Sequence, residues 1–437
     1  MLNIAYLFQA VNFVVTLSML PLILNNINSY QYAVWSIFLT LFGFTLQIQT
    51  AIQNFVIREI SRSYHNNSLA QFEKSWTLTK KLYAALSLLV ALPIYLGGTF
   101  YLYQTQLLNE NIFISWTILT AGYIATYMFA PLNAVLLATD KSIINNKINI
   151  FTRVLYLITC ILLLNIYKDI ISISSAFFIS VTIGSIILFY IVDIKSVRRK
   201  INHISDTKKI QNNLAFRNFY LYGLYSFCSF FLYSGTILVA GALFPANIVA
   251  SYSLGMQIGA LLSAVALTPL PVWLAKQIDA IVSKNIDEQL YQLAKTLWAV
   301  NFVFLVGAAF AATFASQIVA YVSDDISPIA STYFLIILIS FGVEANIFVL
   351  ANFCAANGDY RYVRTYALIA FATAVGGSSA AVYFESLLPL MLFPAIGQSL
   401  FSLPIMLFRV SALLSLPPQL FLRQLVIAVK LKLQSIQ

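Results

Sequence analysis

The chain has 437 residues and a net charge of +10, yet only 9% of its residues are charged and 60% are hydrophobic. A soluble domain carries about a quarter charged residues, so this composition excludes a soluble globular protein and puts nearly all of the mass in or against lipid. In a soluble protein the basic excess would suggest nucleic acid. Here the cations sit in short loops between apolar runs, which is the positive-inside pattern and speaks against a nucleic-acid partner.

Twelve apolar runs are long enough to span a bilayer: about 4–24, 32–57, 82–103, 112–138, 148–166, 172–194, 218–243, 248–274, 296–321, 329–356, 362–384 and 386–408. The first lacks a basic leader and a convincing cleavage site, and reads as a spanning helix, not a signal peptide. The loops alternate. One set holds all but one of the 25 Lys and Arg; the other holds Lys168 with Glu110, Asp169, Asp324, Asp325 and Glu385. With an even number of spans, this places both termini in the cytoplasm. The longest cytoplasmic connection, about 195–217, divides the chain. The expected domains are a six-helix lobe over 1–200, a linker over 201–217, a second six-helix lobe over 218–410 and an amphipathic tail over 411–437 lying in the inner interface. The stretches starting at Phe72 and Asp287 align Glu73 with Glu288, Trp76 with Tyr291, Lys80 with Lys295 and Tyr83 with Trp298. Both precede the third span of their half, as in parallel repeats related by an axis along the membrane normal. Chance likeness of two amphipathic cytoplasmic helices is the plainer alternative.

Thr40, Gly43, Gln47, Thr50, Asn54 and Arg58 are spaced by three and four, so they share one face of span 2. Span 1 carries Gln9, Asn12 and Thr16. Span 7 carries Tyr222, Ser226, Ser229, Tyr233 and Thr236, and span 8 carries Ser253, Gln257 and Thr268. Spans 7 and 8 correspond to spans 1 and 2 under the repeat. Such faces suit a hydrated substrate cavity between two lobes; the plainer reading is hydrogen bonding between packed helices. Arg58 suits a phosphate by its planar fork, or it snorkels to headgroups. Glu344 is the one acid deep in a span, sharing a face with Ser340 and Asn352. It either titrates during a transport cycle or stays neutral and hydrogen-bonded.

Gly255 and Gly259 form a small-xxx-small pair, and prolines such as Pro93, Pro131, Pro394 and Pro404 permit bends. Cys160, Cys228 and Cys354 read as buried apolar residues. There is no phosphate-binding glycine loop, CxxC or HExxH, and only His65 and His203 are present, so no metal, cofactor or built-in ATPase is expected. Short outer loops weigh against a polysaccharide polymerase or acyltransferase.

The stretch from Leu20 to Ser61 resembles the start of bacterial O-antigen-type polysaccharide flippases, of the superfamily that includes multidrug and toxin extrusion (MATE) transporters. The resemblance rests on Pro21-Leu22-Ile23, on Tyr32-Ala33 before Trp35, and on Ile57-Arg58-Glu59-Ile60; Ala33 departs from the usual Gly. It implies an all-α, MATE-like fold of about twelve membrane helices. It also implies a flippase, not an enzyme, that moves an undecaprenyl-diphosphate-linked oligosaccharide across a bacterial inner membrane for O-antigen or capsule assembly. Membrane lipids, a polysaccharide polymerase and a chain-length regulator would be partners. A cation-coupled MATE-type drug antiporter is the alternative.

Overall fold

A computed structural model describes residues 2–65, 68–139, 141–194, 197, 221, 224–225, 227–283, 285–322, 325–421 and 423–425. The expected linker, 201–217, and residues 426–437 of the expected tail lie outside them. The chain forms two compact units, Met1–Phe227 and Cys228–Gln437. The first holds α1 (Leu2–Leu24), α2 (Ser29–His65), α3 (Leu69–Ala85), α4 (Ala91–Gln104), α5 (Glu110–Ala138), α6 (Ser142–Ile166) and α7 (Ile170–Ile191). The apolar helix Phe227–Leu243, α8, leads into the second unit. It is followed by α9 (Ala246–Ala266), α10 (Leu270–Val282), α11 (Ile286–Val322), α12 (Ser331–Ala356), α13 (Tyr362–Phe384), α14 (Leu388–Gly397) and α15 (Leu403–Leu413). Among the described residues, nine helices are long and apolar enough to cross a membrane.

The third span of each unit is longer than its apolar run. Leu69–Gln104 is one path of 36 residues and α11 has 37, because the amphipathic stretch continues without a break into the apolar one. The two stretches aligned in sequence therefore open two helices of nearly equal length. Lys80 Nζ lies 5.8 Å from the Trp76 ring, and Lys295 Nζ lies 5.5 Å from that of Trp273, so each lysine rests on an aromatic face near the end of the apolar run.

Span 8 differs from expectation. It is not one helix over 248–274: α9 stops at Ala266, and α10 begins at Leu270 after a turn. Pro269 and Pro271 explain the break, since each lacks an N–H and disfavours helical geometry in the residue before it.

Two other prolines widen a helix instead of ending it. Between α3 and α4 the turn Leu86–Val90 is a π-helix, in which the Ala91 N–H donates to the Leu86 carbonyl. Between α14 and α15 the turn Gln398–Ser402 is another, with the Leu403 N–H donating to the Gln398 carbonyl. Pro93 and Pro404 follow directly. A helical proline removes one bond and pushes on the carbonyl four residues back; the i→i+5 turn moves that carbonyl away and keeps the helix continuous.

Packing in the first unit centres on Trp116 of α5. Phe38 and Phe42 of α2 each place a ring 4.9 Å from it, and its Nε1 donates to the Tyr95 carbonyl of α4 at 3.2 Å. Phe42 also stacks on Tyr123 at 4.1 Å. Gly98 of α4 admits the indole, because a Cβ there would stand 2.5 Å from Trp116 Cζ2. In the second unit, the small-residue pair of α9 faces α12: a Cβ on Gly255 would meet Ile337 at 3.2 Å, and one on Gly259 would run into the Phe341 ring. At the α12–α13 connection, Arg361 Nε donates to Asp359 Oδ1 at 2.9 Å, which holds the Asp359 carboxyl below its ordinary range. All three cysteines are free and buried.

Gly97 and Gly98 give a paired test. A Cβ at Gly97 meets nothing within 4 Å, so Gly97→Ala is expected to leave stability unchanged or raise it by up to about 1 kcal/mol. Gly98→Ala is expected to cost about 1–3 kcal/mol by overpacking against Trp116. Thermal unfolding of the purified variants in detergent reads both.

Candidate functional site

Glu344 lies on α12 thirteen residues after Ser331, with apolar neighbours on either side in sequence. Its carboxylate accepts from hydroxyls on two other helices. Ser229 Oγ of α8 donates to Oε1 at 2.9 Å, and the Tyr366 hydroxyl of α13 lies 3.1 Å from Oε1 and 3.2 Å from Oε2. One turn away on both α8 and α12 the contact repeats: the Tyr233 hydroxyl donates to the Ser340 carbonyl at 3.2 Å, and the Tyr233 ring stacks on Phe341 at 4.9 Å. The i, i+4 pair Ser229 and Tyr233 thus meets the i, i+4 pair Ser340 and Glu344. Higher on α8, Thr236 Oγ1 and the Tyr252 hydroxyl of α9 are 2.6 Å apart.

Every partner of Glu344 named here is a neutral hydroxyl. Hydroxyls donate to a carboxylate and can turn to accept from a carboxylic acid or to ligate a cation. A carboxylate whose partners among the described residues carry no charge would be neutralised by a proton or a mobile cation. No group of three or more His, Cys, Asp or Glu able to hold a metal ion occurs among the described residues. Beside the acid, α12 is tied to α11 by a reciprocal amide pair: Asn301 Nδ2 donates to Asn346 Oδ1 at 2.8 Å and Asn346 Nδ2 to Asn301 Oδ1 at 2.9 Å. A separate, mainly apolar pocket lies toward the other end of α12, lined by Ser251, Leu254, Gly255, Ile258, Phe334 and Leu335 among others. It is more than two helical turns from Glu344 along α12.

The other sequence candidates stand as follows. Asn352 does not join Glu344; its Nδ2 donates to the Phe348 carbonyl of its own helix at 2.8 Å. Thr40 is buried and donates to the Ser36 carbonyl at 2.8 Å, as a residue satisfied by its own helix does. Thr16 is exposed on α1 and Gln257 is half-buried on α9. Gln9, Asn12, Gln47, Thr50, Asn54 and Arg58 fall on α1 and α2, but their side chains lie outside the description, as do Tyr222 and Ser226 altogether. Sequence reasoning missed Tyr366. A tyrosine one turn inside a span looks like an interfacial anchor, and no spacing links it to Glu344.

No family model matches the chain, and no curated protein matches it. Solved structures do. An inward-facing multidrug resistance MATE family transporter of the MOP superfamily is 14% identical, with 93% of this chain and 95% of that one covered at a TM-score of 0.73. An outward-facing transporter of the same family is 13% identical over 95% of each chain, at 0.67. A MOP superfamily transporter from Pyrococcus furiosus, for which a binding pocket of reverse polarity suggests a different function, is 14% identical over 94% of each, at 0.63. The chain is therefore an all-α, multi-pass membrane protein with the MATE-like fold.

The same findings correct the expectation of an O-antigen-type flippase: the likeness runs to MATE transporters, multidrug resistance ones among them. The undecaprenyl-diphosphate-linked oligosaccharide, the polymerase, the chain-length regulator and the role in O-antigen or lipopolysaccharide assembly fall with it. The physical reason lies in what the motifs describe. Pro21-Leu22-Ile23 and Tyr32-Ala33 flank the turn between α1 and α2, and Ile57-Arg58-Glu59-Ile60 lies inside α2 about two turns before its end, so they describe a helix layout that is shared whatever is carried.

A double-mutant cycle tests the contact between Glu344 and Tyr366. Glu344→Gln and Tyr366→Phe, singly and together, are expected to show a coupling of about 1–3 kcal/mol in thermal unfolding, as for hydrogen bonds to a charged group. Additive effects would mean the two side chains do not act as a unit.

Proposed function

We propose that this protein is a cation-coupled antiporter that exports amphipathic organic cations, with Glu344 as its coupling group. The carrying observation is the placement of that acid, within a span and held by the hydroxyls of Ser229 and Tyr366. The MATE-like fold supports this reading, since the multidrug transporters that share it are built on the same architecture. A carboxylate whose partners are neutral hydroxyls binds either the coupling cation or the positive charge of the substrate, and the two then compete across the cycle. Competition for one site is sufficient for exchange, because each ligand must leave before the other binds.

The polar residues Gln9, Asn12 and Thr16 of α1, Gln47, Thr50, Asn54 and Arg58 of α2, Tyr222, Ser226, Ser229 and Tyr233 along α8, and Gln257 of α9 are the proposed substrate contacts. The alternation of Lys and Arg supports a bacterial cytoplasmic membrane with both termini in the cytoplasm. It supports two six-helix lobes, 1–200 and 218–410, joined through a basic linker over 201–217, with an inner-face tail over 411–437.

Purified protein in liposomes should exchange ethidium or tetraphenylphosphonium against an imposed proton or sodium gradient. Glu344→Gln is expected to lower gradient-driven exchange at least tenfold. Equal gradient dependence in wild type and Glu344→Gln would refute the coupling role.

A further inference from the structure

The last membrane helix buries two polar side chains that have no hydrogen-bond partner. Gln398 is 0% exposed, and neither its Nε2 nor its Oε1 has a partner; Ser402, one turn on, is 2% exposed and its Oγ has none. Both belong to the π-helical turn between α14 and α15. That turn packs against α12 and α13, the helices that bring Glu344 and Tyr366 together. Glu344 and Ser402 each lie about three turns before the inner ends of their helices, Ala356 and Leu413. Both helices run in the same direction under the proposed topology, so the two residues stand at similar depth.

Other amides in this chain show what a satisfied one does. Asn301 and Asn346 bond each other. Asn26, Asn352 and Asn357 donate to the carbonyl four residues back. Gln398 does neither. A buried amide without a partner is costly, and π-turns inside α-helices recur at functional sites. The site offers an amide N–H₂, an amide oxygen and a hydroxyl. This set needs a ligand that both donates and accepts, is neutral, and is small enough for an enclosed place. Water meets all three conditions. A metal ion would be repelled by the N–H₂ group, and a larger solute has no access to a side chain with no exposed surface.

We propose that Gln398 and Ser402 hold ordered water at the depth of Glu344, and that this water passes protons to and from the Glu344 carboxylate. In uptake, one O–H bond of a water breaks as the carboxylic O–H forms, the neighbouring water returns a proton to the oxygen left behind, and the last water takes its proton from hydronium in bulk solvent; release runs the same steps in reverse. Glu344 of α12, Tyr366 of α13 and Tyr233 of α8, which also reaches the carboxylate, are the titratable side chains that face one another there. The proton-passing half rests on Glu344 being the coupling acid; the water site does not.

X-ray radiolytic hydroxyl labelling in nanodiscs tests the site, because radicals born from bound water oxidise the nearest methionine. Met406 follows Ser402 by four residues and is 1% exposed, whereas Met19 and Met256 are each 7% exposed. Met406 is expected to oxidise several-fold faster than those two despite its deeper burial, and to fall to their rate in Gln398→Leu and in the milder Ser402→Ala. Wild-type Met406 oxidising no faster than Met19 and Met256 would overturn the site. Proton uptake after a pH jump, read in the same nanodiscs, is expected to slow at least tenfold in Gln398→Leu while tetraphenylphosphonium binding is retained. Fast labelling with unchanged proton uptake in that variant would overturn the proton path. A Glu344→Gln protein that still exchanges normally defeats the coupling reading and leaves the labelling result untouched.

Discussion

Within hydrocarbon, a polar group has no water to bond and must find its partner inside the protein. The structure follows from the ways this chain meets that demand. Hydroxyls return to their own helix, as Thr40, Thr120 and Thr296 do to the carbonyl four residues back. Amides pair across helices, as Asn301 and Asn346 do. The carboxylate of Glu344 draws on two further helices at once, which fixes α8, α12 and α13 about a single charge. The last arrangement is the costly one, and it is where chemistry is to be expected.

The two units answer the demand differently. The first surrounds Trp116 with aromatic rings, and its buried hydroxyl pairs between helices, Thr45 with Tyr127 and Ser115 with Ser174, are neutral. The second places an acid among hydroxyls and amides. Similar helix order therefore carries unequal chemistry: the first unit is held by ring packing, and the second has a group able to change its charge state.

Much of the fold could be read from the chain. Where residues are described, most of each of the twelve apolar runs falls on helix, because hydropathy and helix length report the same physics. Span 8 was read too long because Pro269 and Pro271 lie within an otherwise apolar run, and apolarity says nothing about backbone continuity. The acid at 344 stood out, and so did the row along α8. Their meeting did not, because helix–helix contacts depend on crossing geometry that spacing within each helix does not contain. Tyr366 gave no signal for the same reason. The substrate was misread on other grounds: the motifs near Pro21 and Arg58 report topology, and topology is shared by carriers of unlike cargo.

The wide turns before Pro93 and Pro404 have a consequence for every helical wheel drawn on those two spans. A π-turn holds one residue more than the α-turn it replaces, so side chains beyond it are rotated by about 100° relative to an unbroken helix. Leu388–Gly397 and Leu403–Leu413 are therefore two wheels with different zero angles, not one. A single-residue deletion inside Gln398–Ser402 would restore ordinary pitch and bring both halves into common phase, turning the stretch around Arg409 by about a quarter of a revolution. In such a helix the loss of one residue is a rotation as much as a shortening.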